Sequence, residues 1–417
     1  MISSPRHAAQ FRSRTLGWIV AGAAAVGLVS AVIGSTVAFA RLVVTPSRTR
    51  ADDIRVLNVD LAARTVTISA NADTRIPGTY SLWFSRSTGH ARLGAILAET
   101  ATTVTRELLA VDFGEITAAR TARIGGWVHL SPRDLRRPAH TVFLESDVGA
   151  CPAWLLPATT VTGSSRWVIQ IHGRGAKRSE TLRAVPVFHD QGYTALLVSW
   201  RNDGDAPSSP DGRYGLGGTE WQDVEAAISF AVNHGARNIV LMGWSMGGAI
   251  ALQALDHSAF GAYLRGVVLE SPVVDWLPTL EQRGVELGLP RILSRIPLAL
   301  LSGPAHRATG VAKPIDFPAL NWVRRADELT VPILLLHSAD DGYVPITASR
   351  LLAARRPNLV TFHEWSRAGH TRLWNFDPER FTREIVEWLT QLSRTAPYGD
   401  GYDAESPSSE RSTDQRA

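Results

Sequence analysis

The feature that most restricts the fold is a series of short, mostly apolar runs between residues 167 and 362 of this 417-residue chain. Trp167–Ile171, Ala195–Ser199, Ile239–Met242, Val267–Leu269, Ile333–Leu336 and Val360–Phe362 are strand-like, several ending in turn residues. Trp221–Asn233 and Ala249–Leu255, between them, carry helical spacing. A strand that is apolar at nearly every position is buried on both faces, so the pattern predicts a mostly parallel sheet covered by helices, an α/β fold.

Residues 51–150 read differently. Ile54–Val59, Thr65–Ser69, Tyr80–Phe84, Ile124–Leu130 and Thr141–Leu144 are alternating or β-branched stretches separated by turn residues such as Pro77-Gly78. They predict a β-rich N-terminal module over residues 41–150, ahead of an α/β domain over 151–393. No motif in the module points to chemistry; packing, spacing from a membrane or shaping a substrate entrance are its expected roles. About 60 residues separate the strands ending at Leu269 and starting at Ile333. An insertion of that size in an α/β sheet is commonly a helical lid, expected here over about 277–330. Phe381, Ile385, Leu389 and Leu392 share one helical face and close the fold, and the polar tail 394–417 is expected to be disordered.

The N-terminus carries its own signal. A basic stretch over residues 1–15 with Arg6, Arg12 and Arg14 precedes Leu16–Ala40, 25 residues without a charge. At about 1.5 Å per residue this spans a hydrocarbon core of roughly 30 Å. Ala38-Phe39-Ala40 resembles a signal-peptidase site, but a cleaved signal has a shorter apolar region. An uncleaved transmembrane signal anchor over 16–40 is the expectation. Arginines flank the span on both sides; the short basic N-terminus favours an extracytoplasmic catalytic domain.

Composition excludes other classes. The 43 basic residues stand against 39 acidic ones and form no block, so no nucleic-acid partner is expected. A single cysteine, Cys151, permits neither an internal disulfide nor a thiolate metal cluster, and its setting is structural. The dinucleotide fingerprint fails because Arg178 stands where a third glycine would follow Gly173-Arg174-Gly175, and the zincin spacing fails at Arg367. No metal or redox cofactor is implied.

The chemistry lies in Gly243-Trp244-Ser245-Met246-Gly247, directly after a strand and before a helix. A nucleophile on so sharp a turn has strained dihedrals and tolerates only small neighbours two residues away. Two further loops follow in order: Asp341-Gly342-Tyr343-Val344-Pro345 after the strand Ile333–Leu336, and Gly369-His370 after the strand around Phe362. Asp340, on the same loop, and Asp275, after Glu270-Ser271-Pro272, are rival acids; His363 reads as a packed or exposed histidine.

The order nucleophile, acid, histidine over residues 150–393 resembles the α/β-hydrolase family of esterases, lipases and prolyl-oligopeptidase-like enzymes. The resemblance implies Ser245 as nucleophile, His370 as general base and Asp341 as its orienting acid. It also implies an oxyanion hole made by the backbone amides of Met246 and of Arg174, the latter in the His172-Gly173-Arg174-Gly175 turn; the Arg174 side chain need not take part. The expected protein is therefore a membrane-anchored serine hydrolase of small esters or acyl compounds. A prolyl-oligopeptidase-type peptidase and a non-catalytic binding protein of the same fold are the alternatives.

Overall fold

A computed structural model describes residues 33–47, 50–159, 165–288 and 295–395. The basic N-terminus, most of the expected anchor (residues 16–32), lid residues 289–294 and the tail from 396 lie outside the described residues.

The first unit is a closed antiparallel barrel built from β1 (Ile54–Asp60), β2 (Thr65–Ser69), β3 (Tyr80–Phe84), β4 (Gly89–Glu99), β5 (Thr103–Phe113) and β6 (Thr121–Gly125), in the order β1-β2-β5-β4-β3-β6. Its interior is apolar, with Val66, Ile68, Tyr80, Leu82, Leu93 and Val104 fully buried. One charge is buried with them. The Arg106 guanidinium donates to the carbonyls of Gly94, Thr74, Ile76 and Gly78 at 2.7–3.2 Å and lies 5.2 Å from the Tyr80 ring centre. It therefore ties β4 to the loop between β2 and β3. The expected strand Ile124–Leu130 ends instead at Gly125, and β4 and β5 had no counterpart among the sequence-predicted strands.

The second unit is an eight-stranded sheet. After β7 (His140–Ser146) and β8 (Gly149–Leu156) come β9 (Arg166–Ile171), β10 (Thr194–Val198), β11 (Asn238–Trp244), β12 (Leu264–Glu270), β13 (Ile333–Ser338) and β14 (Val360–Trp365), in the order β14-β13-β12-β11-β9-β10-β8-β7. The six strands β9 to β14 pair in parallel; β8 and β7 extend the sheet antiparallel. The sheet thus begins at His140 rather than at 151, and Thr141–Leu144 belongs to it instead of to the module. Side chains alternate between two cores: Ile169, Leu241, Val267 and Leu335 face one, Val168, Val240, Val268 and Leu334 the other. Burial on both faces is why these strands read as continuous apolar runs.

Helices cover both faces: α1 (residues 33–44), α2 (Val185–Asp190), α3 (Trp221–Asn233), α4 (Met246–His257), α5 (Trp276–Glu286), α6 (Ile296–Ser302), α7 (Thr347–Arg355), α8 (Leu373–Phe376) and α9 (Pro378–Thr395). The expected face of α9, Phe381, Ile385, Leu389 and Leu392, is buried. Cys151 is a free, buried residue of β8. Helices α5 and α6 form the inserted segment between β12 and β13.

Helix α1 corrects the C-terminal boundary of the expected membrane span. Thr36, Phe39, Ala40, Val43 and Val44 are buried, the last four in the same core as β9 and α4, so this stretch packs on protein rather than on lipid. Among the described residues no helix is long and apolar enough to cross a membrane.

Removing the buried guanidinium leaves several carbonyls of one loop without donors. Arg106→Leu is expected to destabilise the barrel by ~3 kcal/mol; an unchanged denaturation midpoint of the full chain would show that the loop finds other donors.

Candidate active site

Strand β11 and helix α4 are joined at Ser245, whose φ of 52° and ψ of −119° lie outside the regions open to ordinary L-residues. The flanking glycines are forced by contact. A Cβ on Gly243 would lie 2.4 Å from the Gly247 carbonyl oxygen, and one on Gly247 would lie 2.2 Å from that of Ile171. The turn raises the serine above the C-terminal edge of the sheet, where it is 5% exposed.

His370, on the loop between β14 and α8, places Nε2 2.9 Å from Ser245 Oγ and Nδ1 2.7 Å from Asp341 Oδ2. Asp341, beyond β13, is fixed by its own turn: Oδ1 accepts from the amides of Tyr343 and Val344, both at 2.9 Å. His337 adds a contact that the sequence reading did not assign. Its Nε2 lies 3.2 Å from Asp341 Oδ2 and 3.1 Å from the Val344 carbonyl, while Nδ1 meets Ser349 Oγ at 2.8 Å. Burial raises the Asp341 pKa, but the charge of His370 and the hydrogen bonds from His337 and His370 outweigh it and hold the carboxyl well below the usual range. An ionised Asp341 fixes the orientation of the imidazole toward Ser245. The Tyr343 ring stacks on His370 with centres 4.9 Å apart.

The rival acids are engaged elsewhere. Asp340 accepts from the Arg367 amide at 2.6 Å, and Asp275 caps α5 through the Leu277 amide at 2.9 Å. His363 pairs with Glu384 at 3.2 Å.

The turn after β9 lies against the nucleophile: a Cβ on Gly173 would stand 3.4 Å from Ser245 Cβ. Among the described residues the amides of Arg174 and Met246 have no hydrogen-bond partner, whereas the amides on either side of Arg174 do. Gly173 N–H donates to Glu180 Oε2 at 2.8 Å, and Gly175 N–H to Asp203 Oδ2 at 2.7 Å. Two free donors next to Ser245 are what a developing oxyanion needs, each worth ~3 kcal/mol in the transition state. His172 stacks on Trp200 and donates from Nδ1 to the Gly173 carbonyl; burial pushes its pKa down to about 4, so it stays neutral.

The Arg174 guanidinium has a structural partner. It donates to the carbonyls of Leu42 and Thr45 at 2.6 and 3.1 Å, closing the C-terminal end of α1, and lies 5.2 Å from the Tyr214 ring centre. A cleft of about 1350 Å³ runs between barrel and sheet, bordered by Trp83, Trp127, Arg123, Gly175 and Lys177. Neither Ser245 nor His370 lines it.

Asp203 and Glu180, like His337, escaped the sequence reading because no motif marks them. Burial raises the Asp203 pKa to about 7, against hydrogen bonds from Tyr214 and Gly175 and the charge of Arg174 that lower it. The fold therefore favours its protonated form. That contribution is complete below about pH 4, the range of a free carboxyl, and is lost as pH rises through 7. Asp203→Asn, neutral throughout, is expected to gain Tm relative to the wild type between pH 5 and 8. A difference in Tm that stays flat across this interval would contradict a raised carboxyl at this position.

No curated protein matches the chain. Residues 55–125, the barrel, match a domain of unknown function (DUF8805). Solved structures similar to the chain include an esterase of Pyrococcus furiosus, 18% identical with a TM-score of 0.49, covering 63% of this chain and 94% of that one. Another is the ferulic acid-bound Est1E of Butyrivibrio proteoclasticus, 15% identical, TM-score 0.47, covering 61% and 99%. A monoacylglycerol lipase of Paleococcus ferrophilus is 20% identical, TM-score 0.43, covering 58% and 99%. The model of the alpha/beta hydrolase family matches residues 167–384, just over half of the chain and the whole span from β9 into α9 that holds Ser245, Asp341 and His370. The chain belongs to the alpha/beta hydrolase family.

Proposed function

We propose that the protein is a serine hydrolase that cleaves carboxylic esters through an acyl-enzyme. The observation that carries the reading is the continuous chain Ser245 Oγ to His370 to Asp341, at 2.9 and 2.7 Å, on a strained strand-to-helix turn. His370 takes the Ser245 proton as the oxygen attacks the ester carbonyl, and the amides of Met246 and Arg174 receive the oxyanion. Collapse expels the alcohol, which takes the proton from His370. Water, deprotonated by the same imidazole, then releases the acid and frees Ser245.

A fluorophosphonate probe is expected to label the wild-type chain and not Ser245→Ala. His370→Ala and Asp341→Asn should lower kcat for p-nitrophenyl esters by roughly 10⁴-fold or more. A folded wild-type protein without Ser245-dependent labelling would sink the enzyme reading. A panel containing esters of graded chain length and peptide amides would replace it with a peptidase reading if the amides were cleaved faster.

The reading includes a location. The uncharged stretch 16–32 leads directly into α1, and the arginines before it support an anchor with the catalytic domain outside the cytoplasm. Full-length protein is expected in the membrane fraction, resistant to carbonate extraction and digested by protease added from the extracytoplasmic side; recovery in the soluble fraction would overturn the anchor.

A further inference from the structure

We propose that the N-terminal barrel is an internal support for the catalytic loops, and that Glu180 is the positioning residue through which it holds the oxyanion turn. This rests on the esterase reading above. Glu180 lies on the 3₁₀ segment Arg178–Ala184 and is buried. Its two carboxylate oxygens are used on opposite sides. Oε2 accepts from the Gly173 amide at 2.8 Å, in the turn that touches Ser245. Oε1 accepts from Trp127 Nε1 at 3.1 Å. Trp127 lies two residues beyond β6, edge-on to Trp83 of β3, with the Arg50 guanidinium over its ring. One carboxylate thus joins the barrel wall to the residue before the free Arg174 amide.

The bond to Gly173 also has a directional consequence. With that N–H already engaged, the turn presents the next amide, that of Arg174, as its unpaired donor beside the serine. Burial would raise the Glu180 pKa, but the Arg183 charge, the Gly173 hydrogen bond and the Arg50 charge outweigh it, so the group remains an anion with acceptors on both oxygens.

A second connection reaches the histidine loop. Asn375 of α8 accepts from Arg183 Nη1 at 2.9 Å, and its Nδ2 donates to the barrel-side carbonyls of Thr79 and Gly126 at 2.8 and 3.0 Å. The Asn375 carbonyl accepts from the Thr79 amide at 3.0 Å. Arg183 lies over the Trp244 ring, whose Nε1 donates to Glu270; Glu270 also accepts from the Leu373 amide at 3.0 Å, and its backbone carbonyl accepts from Ser245 N–H at 3.0 Å. Barrel, oxyanion turn, nucleophile and histidine loop therefore meet in one buried polar cluster. A module needed only as a spacer has no reason to place its polar contacts on these loops.

The test uses the full-length chain with p-nitrophenyl acetate as probe. Trp127→Phe keeps the ring but removes the donor, and Glu180→Gln leaves one N–H facing an amide group instead of an oxygen. Deuterium exchange over residues 172–176 should quicken in both variants. Given the loss from small misplacements at a reacting centre, kcat should fall about tenfold in Trp127→Phe and about a hundredfold in Glu180→Gln, with KM within about twofold. Should Trp127→Phe fail to fold, Glu180→Gln reads the same turn. Folded variants with unchanged exchange and kcat, or with the loss confined to KM, overturn the proposal. A wild-type chain that is not hydrolytic defeats the esterase reading and the catalytic role with it, whereas wild-type hydrolysis with unaffected variants defeats only the support.

Discussion

Ser245 holds a backbone conformation that costs on the order of 1–3 kcal/mol, and the surrounding main chain over-determines it. Its N–H is held by the Glu270 carbonyl, and its own carbonyl accepts from the amides of Gly248 and Val273 at 3.0 and 3.1 Å. These bonds join the end of β11 to the start of α4 and to the chain leaving β12. Thr371, Arg367 and Ser271 nearby also have positive φ. Positive φ thus recurs where three loops converge above a sheet whose core is apolar on both sides. The parallel strands below supply the stability that keeps this rim in place.

Much of that sheet was legible because burial on both faces leaves few polar positions in the strands. β9, β11 and β13 are dominated by apolar residues, and their sequence-predicted positions agree with the structure to within a few residues. β4 and β5 are different. Only one side of each faces the barrel interior, and their ends are exposed, so Arg92, Glu99, Arg106 and Glu107 dilute the alternation. Arg106 is the sharpest case: a charge at a core position argues locally against a buried strand, and only the four carbonyls brought by distant turns make it stable there. β7 misled for the opposite reason. It is a half-exposed edge strand, so its pattern matches the module that precedes it rather than the buried strands it joins.

The three side chains of the proposed triad were legible for a related reason. Ser245, Asp341 and His370 each sit in a short turn directly after a strand, where steric demands leave local marks: glycines around the serine, Val344-Pro345 after the acid, glycine before the histidine. Residues that orient these groups carry no such mark. His337 lies just before the stretch singled out for its acid, yet its role depends on the turn folding Asp341 back by four residues. Glu180, Asp203 and Asn375 are ordinary polar residues until tertiary structure buries them. Their partners are backbone amides and carbonyls, which the sequence does not distinguish.

The closing of α1 by Arg174 has a consequence for the order of folding. The helix is made first, but its stabilising partners are late: Arg174, then Tyr214, whose amide binds the Val44 carbonyl, and finally Ala308, whose carbonyl accepts from Arg41 across 267 positions. Contacts of such separation form only after long loops have closed. During synthesis the end of α1 therefore remains without its protein partners until most of the sheet exists. Its docking onto the turn beside Ser245 is a late event in folding, and the oxyanion side of the site acquires its final form only when the beginning of the chain has been recaptured by its middle.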